Sequence, residues 1–153
     1  MNGGQQFTYV SLDDNRIVAD EILGTGKRST ADRVAVPYTI FTTPPLARVG
    51  VSEDEARAQG SSIKVEVKKV ADIAAMPRPK IVGDPRGIVK FVVDADTDQI
   101  LGAALMHVDS QEVINLVALA MRQELTSATL RDSIFTHPSS TEALNEVLGS
   151  FTR

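Results

Sequence analysis

The sequence contains no cysteine, which excludes disulfides, thiolate metal centres and a thiol nucleophile among its own residues. It has only two histidines. His107 and His137 lie far apart in the chain, and neither has the i, i+4 partner of a helical metal motif, so no metal site is expected. No apolar run approaches the roughly 20 residues that span a bilayer, and the start of the chain lacks the basic-then-apolar pattern of a signal peptide. A cytoplasmic protein with no membrane association is therefore expected. A basic surplus is also lacking. The formal net charge is -4, and Lys64, Lys68 and Lys69 are interleaved with Glu66 on what reads as a solvated strand face, so a nucleic-acid partner is not expected. Internal repeats and low-complexity tracts are missing as well. What is present is ordinary for a globular protein: 153 residues, 42% hydrophobic and 24% charged, enough for one domain with a core and a tail.

Residues 1–33 differ from the rest. They carry Gly3-Gly4, the acidic pair Asp13-Asp14, and scattered apolar residues (Phe7, Val10, Ile17, Val18, Ile22, Leu23) without a folding partner in sight. Such a stretch resembles a segment cut from a larger neighbour. The run Gly24-Thr25-Gly26-Lys27-Arg28-Ser29-Thr30 invites a phosphate-loop reading. That reading fails, because Glu21 stands where the first glycine belongs and Arg28 where the hydroxyl belongs. As a dinucleotide fingerprint it fails at Ser29, where a third Gly or Ala is needed, and Pro37 interrupts the segment after it. The run reads as a linker.

From Arg33 to Thr42 apolar residues alternate, with Val34, Val36, Tyr38 and Ile40 on one face, and Pro44-Pro45 ends the run. The pattern predicts one strand. Ser52 with Glu55 forms a capping box that opens a short helix closed by Gly60. Ile63 to Lys68 alternates as a half-buried strand. Met76 to Pro85, with three prolines, predicts a stiff loop without regular structure. Gly87 to Val93 and Ile100 to Val108 read as a β-hairpin across the polar tip 94–99, and Gly102 predicts close approach of a helix or another backbone. Val113, Ile114, Leu116, Val117, Ala120 and Met121 form a broad helical stripe over Ser110 to Gln123. That stripe suits either core packing alone or a sheet on one side and a partner on the other. Short helices are predicted over Leu130 to Phe135 and Thr141 to Leu148. Strands first and helices last predict an α+β fold: an antiparallel sheet of about four to five strands with helices packed on one face.

Chemistry is concentrated in Thr136-His137-Pro138-Ser139-Ser140-Thr141-Glu142. The proline holds His137 on a rigid bend, and a carboxylate on one ring nitrogen would fix the tautomer while the other nitrogen moves a proton. The same spacing also reads as a capping box in which Ser139 caps the last helix and Glu142 bonds back to it. Both readings stand at this level. An acid/base pair here has no nucleophile of its own. Ser139 and Ser140 are too close to His137 in the chain to be aimed at it, and no nucleophile elbow is present, which argues against a Ser-His hydrolase.

Several segments together resemble the C-terminal dimerisation domain of the pyridine nucleotide-disulfide oxidoreductases, the flavoenzymes that include glutathione reductase, lipoamide dehydrogenase and mercuric reductase. They are Pro37-Tyr38-Thr39-Ile40-Phe41-Thr42-Thr43-Pro44-Pro45-Leu46-Ala47-Arg48-Val49-Gly50, Gly87-Ile88-Val89-Lys90-Phe91, Ile100-Leu101-Gly102-Ala103, and His137-Pro138 with Glu142. Ile134 to Ser139 and the GKRST run look most like the bacterial branch linked to resistance against reactive chlorine species. The resemblance implies that residues 1–35 are the end of an FAD domain and its linker, and that 36–153 are the dimerisation domain. It implies a homodimer joined to FAD and NAD(P) domains of the same enzyme. FAD and NAD(P)H would serve the full-length enzyme, with none bound by this fragment alone, and the fragment alone would be inactive. His137 and Glu142 would be the catalytic pair given to the other subunit's flavin and dithiol, and His137-Pro138 would lie against that flavin. Ser139 stands where many members have Thr. Met106 to Ser110 stand where many have a glycine and a small residue, which marks His107 as a local structural residue. The alternative is a free-standing dimerisation or interaction module without catalysis.

Overall fold

The computed structural model describes residues 4–152, so Gly3 of the glycine pair and Arg153 at the end of the second segment lie outside it. The chain divides into two compact units, Met1–Val34 and Ala35–Arg153.

The first unit is built on α1 (Thr8–Leu23). No helix is expected there, since only Val10 of it is buried while Leu12, Val18, Ile22 and Leu23 are exposed, and a helix without a buried stripe leaves no periodic signal. Beyond it, the glycine-rich run folds back on the helix. The carboxylate of Asp20 accepts the backbone N–H groups of Thr25 at 3.1 Å, Lys27 at 2.8 Å and Arg28 at 3.0 Å. These bonds, that of Arg28 foremost, hold Asp20 below the usual carboxylate range. Arg28 and Arg33 both pair with Asp13, and Arg33 also with Asp14.

The second unit holds a five-stranded sheet in the order β1-β2-β5-β4-β3, with every neighbouring pair antiparallel. Its strands are β1 (Tyr38–Ile40), β2 (Leu46–Gly50), β3 (Ile63–Lys69), β4 (Ile88–Asp94) and β5 (Ile100–Met106). The helices are α2 (Glu53–Ala58), α3 (Arg78–Ile81), α4 (Ser110–Arg122), α5 (Ser127–Arg131) and α6 (Ala143–Gly149). This is the α+β arrangement that the pattern predicts.

Register places Val49, Ala103 and Phe91 in one cross-strand row and Ala47, Leu105 and Val89 in the next. All six are buried, in one cluster with Val113, Ile114 and Val117 of α4 and Leu144, Val147 and Leu148 of α6. The core is therefore a slab between the sheet and the two helices, and burial of these aliphatic and aromatic side chains is its main source of stability. Gly102 sits where β5 passes the backbone of Val51, whose carbonyl oxygen a Cβ would overlap. The close approach expected of Gly102 is thus to another backbone.

Four local expectations are corrected. The alternation over 33–42 yields a strand only at Tyr38–Ile40, because Ala35 takes a positive φ of 49°, Pro37 has no N–H to give a ladder, and Val34 and Ile40 face solvent. A further strand, β2, comes after the two prolines. The proline-rich loop includes one helical turn, α3, in which Pro79 falls in the first turn, where a missing N–H costs nothing. The helix expected over 130–135 lies earlier, at Ser127–Arg131, where the Thr126 hydroxyl caps it by accepting Thr129 N–H at 3.2 Å.

On β3 the charged residues turn toward the helix side rather than to open solvent. Lys64, Glu66 and Lys68 are register partners of the buried Val93, Phe91 and Val89, and Lys64 pairs with Asp98 at 2.6 Å and Lys68 with Glu146 at 3.2 Å.

Candidate active site

Residues 132–142 connect α5 to α6 and are held at both ends. Asn145 on α6 donates its amide to the Arg131 carbonyl at 2.7 Å and the Ser133 carbonyl at 2.9 Å, closing the exit of α5. Ala143, Leu144, Val147 and Leu148 sink α6 into the core, which fixes Glu142 immediately before the first helical residue. Between these anchors the chain bulges out. Ile134 is fully exposed, and the His137–Pro138 peptide is cis.

The Glu142 carboxylate serves two donors. One oxygen lies 2.9 Å from His137 Nδ1, and the other accepts Ser139 N–H at 2.7 Å. The two readings of this spacing are therefore realised by one side chain, though the capping box is only half made, since no hydroxyl caps α6. The His137 bond, with the Ser139 N–H adding to it, holds Glu142 below the usual carboxylate range. An ionised carboxylate can only accept. The proton of the neutral ring thus sits on Nδ1, and Nε2 carries the free lone pair. The His137 side chain is 72% exposed and that of Glu142 17%, so the ring stands at the surface with its partner tucked behind it. Such an arrangement can take a proton at Nε2 and spread the resulting charge into the carboxylate.

Both serine hydroxyls nearby are engaged elsewhere. Ser139 Oγ points to Glu142 at 3.4 Å, and Ser140 Oγ donates to Asp109 Oδ2 at 2.9 Å, which leaves neither serving as a nucleophile for His137. The other histidine is of a different kind. His107 is fully buried, its Nδ1 donates to the Val108 carbonyl, and its Nε2 has no partner. Burial pushes its pKa down, opposed by the Val108 bond and by Asp109. Among the described residues no cluster of three His, Asp or Glu side chains could hold a metal, and no helix is long and apolar enough to cross a membrane.

What local pattern could not reveal is the contact beneath the bend. Asp109 and Ser140 are separated by 31 positions, and nothing in either neighbourhood signals the other.

Comparison with known proteins identifies relatives across nearly the whole chain. The family described as pyridine nucleotide-disulphide oxidoreductase, dimerisation domain, matches residues 36–148. The probable pyridine nucleotide-disulfide oxidoreductase RclA of Escherichia coli (strain K12) is 53% identical over 96% of this chain, which spans 33% of that protein. An uncharacterized 19.7 kDa protein in a mercuric resistance operon of Staphylococcus aureus is 32% identical over 95% of this chain and is covered to 78% of its own length. The solved HOCl-induced flavoprotein disulfide reductase RclA from Escherichia coli superposes with a TM-score of 0.92 at 53% identity, covering 96% of this chain and 33% of that one.

Proposed function

The chain belongs to the pyridine nucleotide-disulphide oxidoreductase family through its dimerisation domain, and on that premise we propose that it is the C-terminal part of an FAD-dependent NAD(P)H disulfide oxidoreductase. Its own work is to join two subunits and to give each one's dithiol site the His137–Glu142 pair of the other. In this reading residues 1–35 are the last piece of the FAD domain and its connector, and 36–153 the dimerisation domain. The exposed Leu12, Val18, Ile22 and Leu23 of α1 suit a helix made to pack on a neighbouring domain.

The glycine-rich loop does not fit the phosphates of a dinucleotide, since it gives its amides to Asp20. In this reading the flavin is held by the rest of the enzyme, with the bend at His137-Pro138 as the part that would lie against it. When bound, a flavin would supply the transfer of electrons from a nicotinamide to a disulfide. His137 Nε2 takes the proton of a thiol, so that a thiolate is available for attack. The imidazolium is stabilised through its Nδ1–H by the Glu142 carboxylate, and the proton returns to the thiolate that leaves. The observation that carries this is the 2.9 Å contact of Nδ1 with Glu142 on a ring that remains 72% exposed: a proton carrier without a nucleophile of its own, open to a second molecule.

The test is His137→Ala in the intact enzyme. Turnover should fall by about 10² to 10⁴, while flavin reduction by NAD(P)H in stopped flow stays near wild type. Unchanged turnover ends the acid/base reading.

A second reading is a free-standing dimerisation module without catalysis. It is favoured by the 19.7 kDa relative, of which this chain covers 78%. The mass of the native protein separates the two readings, because a flavoenzyme subunit needs a further FAD domain bearing the cysteine pair.

A further inference from the structure

The bend that carries His137 is exposed over Thr136, His137 and Pro138 and turns inward at Ser140. Ser140, two positions before Glu142, is only 4% exposed. Its hydroxyl donates to Asp109 Oδ2 at 2.9 Å, with the Val108 carbonyl further off at 3.5 Å. Asp109 immediately precedes α4 in a left-handed conformation, φ 69° and ψ 9°, and the same Oδ2 takes the Arg78 guanidinium of α3 at 3.3 Å. The turn around Asp109 is itself immobilised. Ser110, fully buried, donates its hydroxyl to the Pro45 carbonyl at 2.8 Å, Ser110 N–H bonds back to His107 O at 3.1 Å, and His107 is packed without exposure. An unbroken line of bonds thus runs from the start of β2 through the turn before α4 into the middle of the bend.

We propose that Asp109 and Ser140 are positioning residues: a strut that sets the bend against the rigid start of α4 and so keeps His137 within reach of Glu142. This rests on the acid/base reading of the His137–Glu142 pair and deepens it. The His137 ring is held by a single side-chain hydrogen bond, so its orientation depends on the backbone on either side of Ser140. A buried hydroxyl needs a partner where an alkyl group of the same size would not, and the partner of Ser140 is Asp109. The choice fixes direction as well as volume. Arg78 on the same oxygen keeps the carboxylate in place.

The test uses the 153-residue chain, whose two histidines give a simple long-range ¹H–¹⁵N imidazole spectrum; His137→Gln assigns the signals. Wild type should show the Nδ1–H tautomer at His137. Ser140→Ala and Asp109→Gly, the second chosen because glycine accepts the left-handed backbone, should move His137 toward the mixed pattern of a free imidazole. Asp109→Asn keeps both the backbone preference and an acceptor, and should keep the wild-type signature. In the intact enzyme Ser140→Ala should lower kcat on the order of tenfold through misplacement of the ring. If His137 keeps its Nδ1–H signature in Ser140→Ala with a dispersed amide spectrum, the strut serves stability alone and the proposal is wrong, whether or not Asp109→Gly folds. A wild-type ring without that signature overturns it equally. Should His137→Ala leave turnover intact, the acid/base reading falls while the tautomer comparison still decides the strut.

Discussion

Replacing Glu142 by Gln in the intact enzyme takes one acceptor from a site that uses two. The carboxylate faces His137 Nδ1 at 2.9 Å with one oxygen and Ser139 N–H at 2.7 Å with the other. Glutamine brings one oxygen, and its NH₂ must face a donor at the second place. Ser139 offers a backbone N–H that cannot turn away, so the oxygen stays there and the NH₂ meets the ring. Imidazole can answer only by moving its proton to Nε2, which turns the working nitrogen from acceptor to donor. A hydrogen bond to an ionised acceptor contributes roughly 1.5 to 3 kcal/mol. On a ring exposed to 72% solvent competes for it, and about 1 to 2 kcal/mol is a fair expectation. At 1.36 kcal/mol per decade that is about a five- to thirtyfold loss in kcat, smaller than for His137→Ala because the proton-carrying atoms remain. Steady-state turnover with stopped-flow flavin reduction as control measures it. The decisive comparison is the double variant: Glu142 acts through His137, so adding Glu142→Gln to His137→Ala should cost nothing further. Losses that multiply, or a Glu142→Gln loss as large as that of His137→Ala, would refute the tautomer argument.

Other consequences are open to measurement. Because burial depresses the pKa of His107, the unfolded chain binds a proton more readily than the folded one below the usual histidine value of about 6.5. The contribution of the neutral ring to stability is full above that pH and is lost as pH falls through the depressed folded value; urea midpoints at pH 7.5 and 5.5 should diverge in wild type and less so in His107→Leu, and equal slopes would remove the explanation. Leu119 is 54% exposed on α4, the helix whose stripe suits a partner on one side, and a dimer closed by two-fold symmetry across that side would bring the helix against its copy. Leu119→Glu should move the light-scattering mass from dimer toward monomer with the fold intact, and an unchanged dimer would place the interface elsewhere.

The parts of the fold visible in advance are those whose burial is periodic. The β4–β5 hairpin and the α4 stripe each bury one face against the core, and a face leaves a pattern. The helix α1 escaped because one buried residue makes no stripe, and β2 because its inward residues, Ala47 and Val49, form too short an alternation behind two prolines. The His137–Glu142 contact was legible because it spans five positions within one bend. The Asp109–Ser140 bond joins segments brought together only by the packing of α6 and α4 on the same core, so its cause lies in tertiary structure rather than in either local sequence.

The loop after α1 has a consequence of its own. Asp20 is a resident anion, covalently attached and seated on three amides, and a tether of a few residues presents it at an effective concentration in the millimolar range. A free nucleotide would have to displace a competitor that can never diffuse away. This glycine-rich run is thus saturated from within, by the acid one helical turn upstream of it.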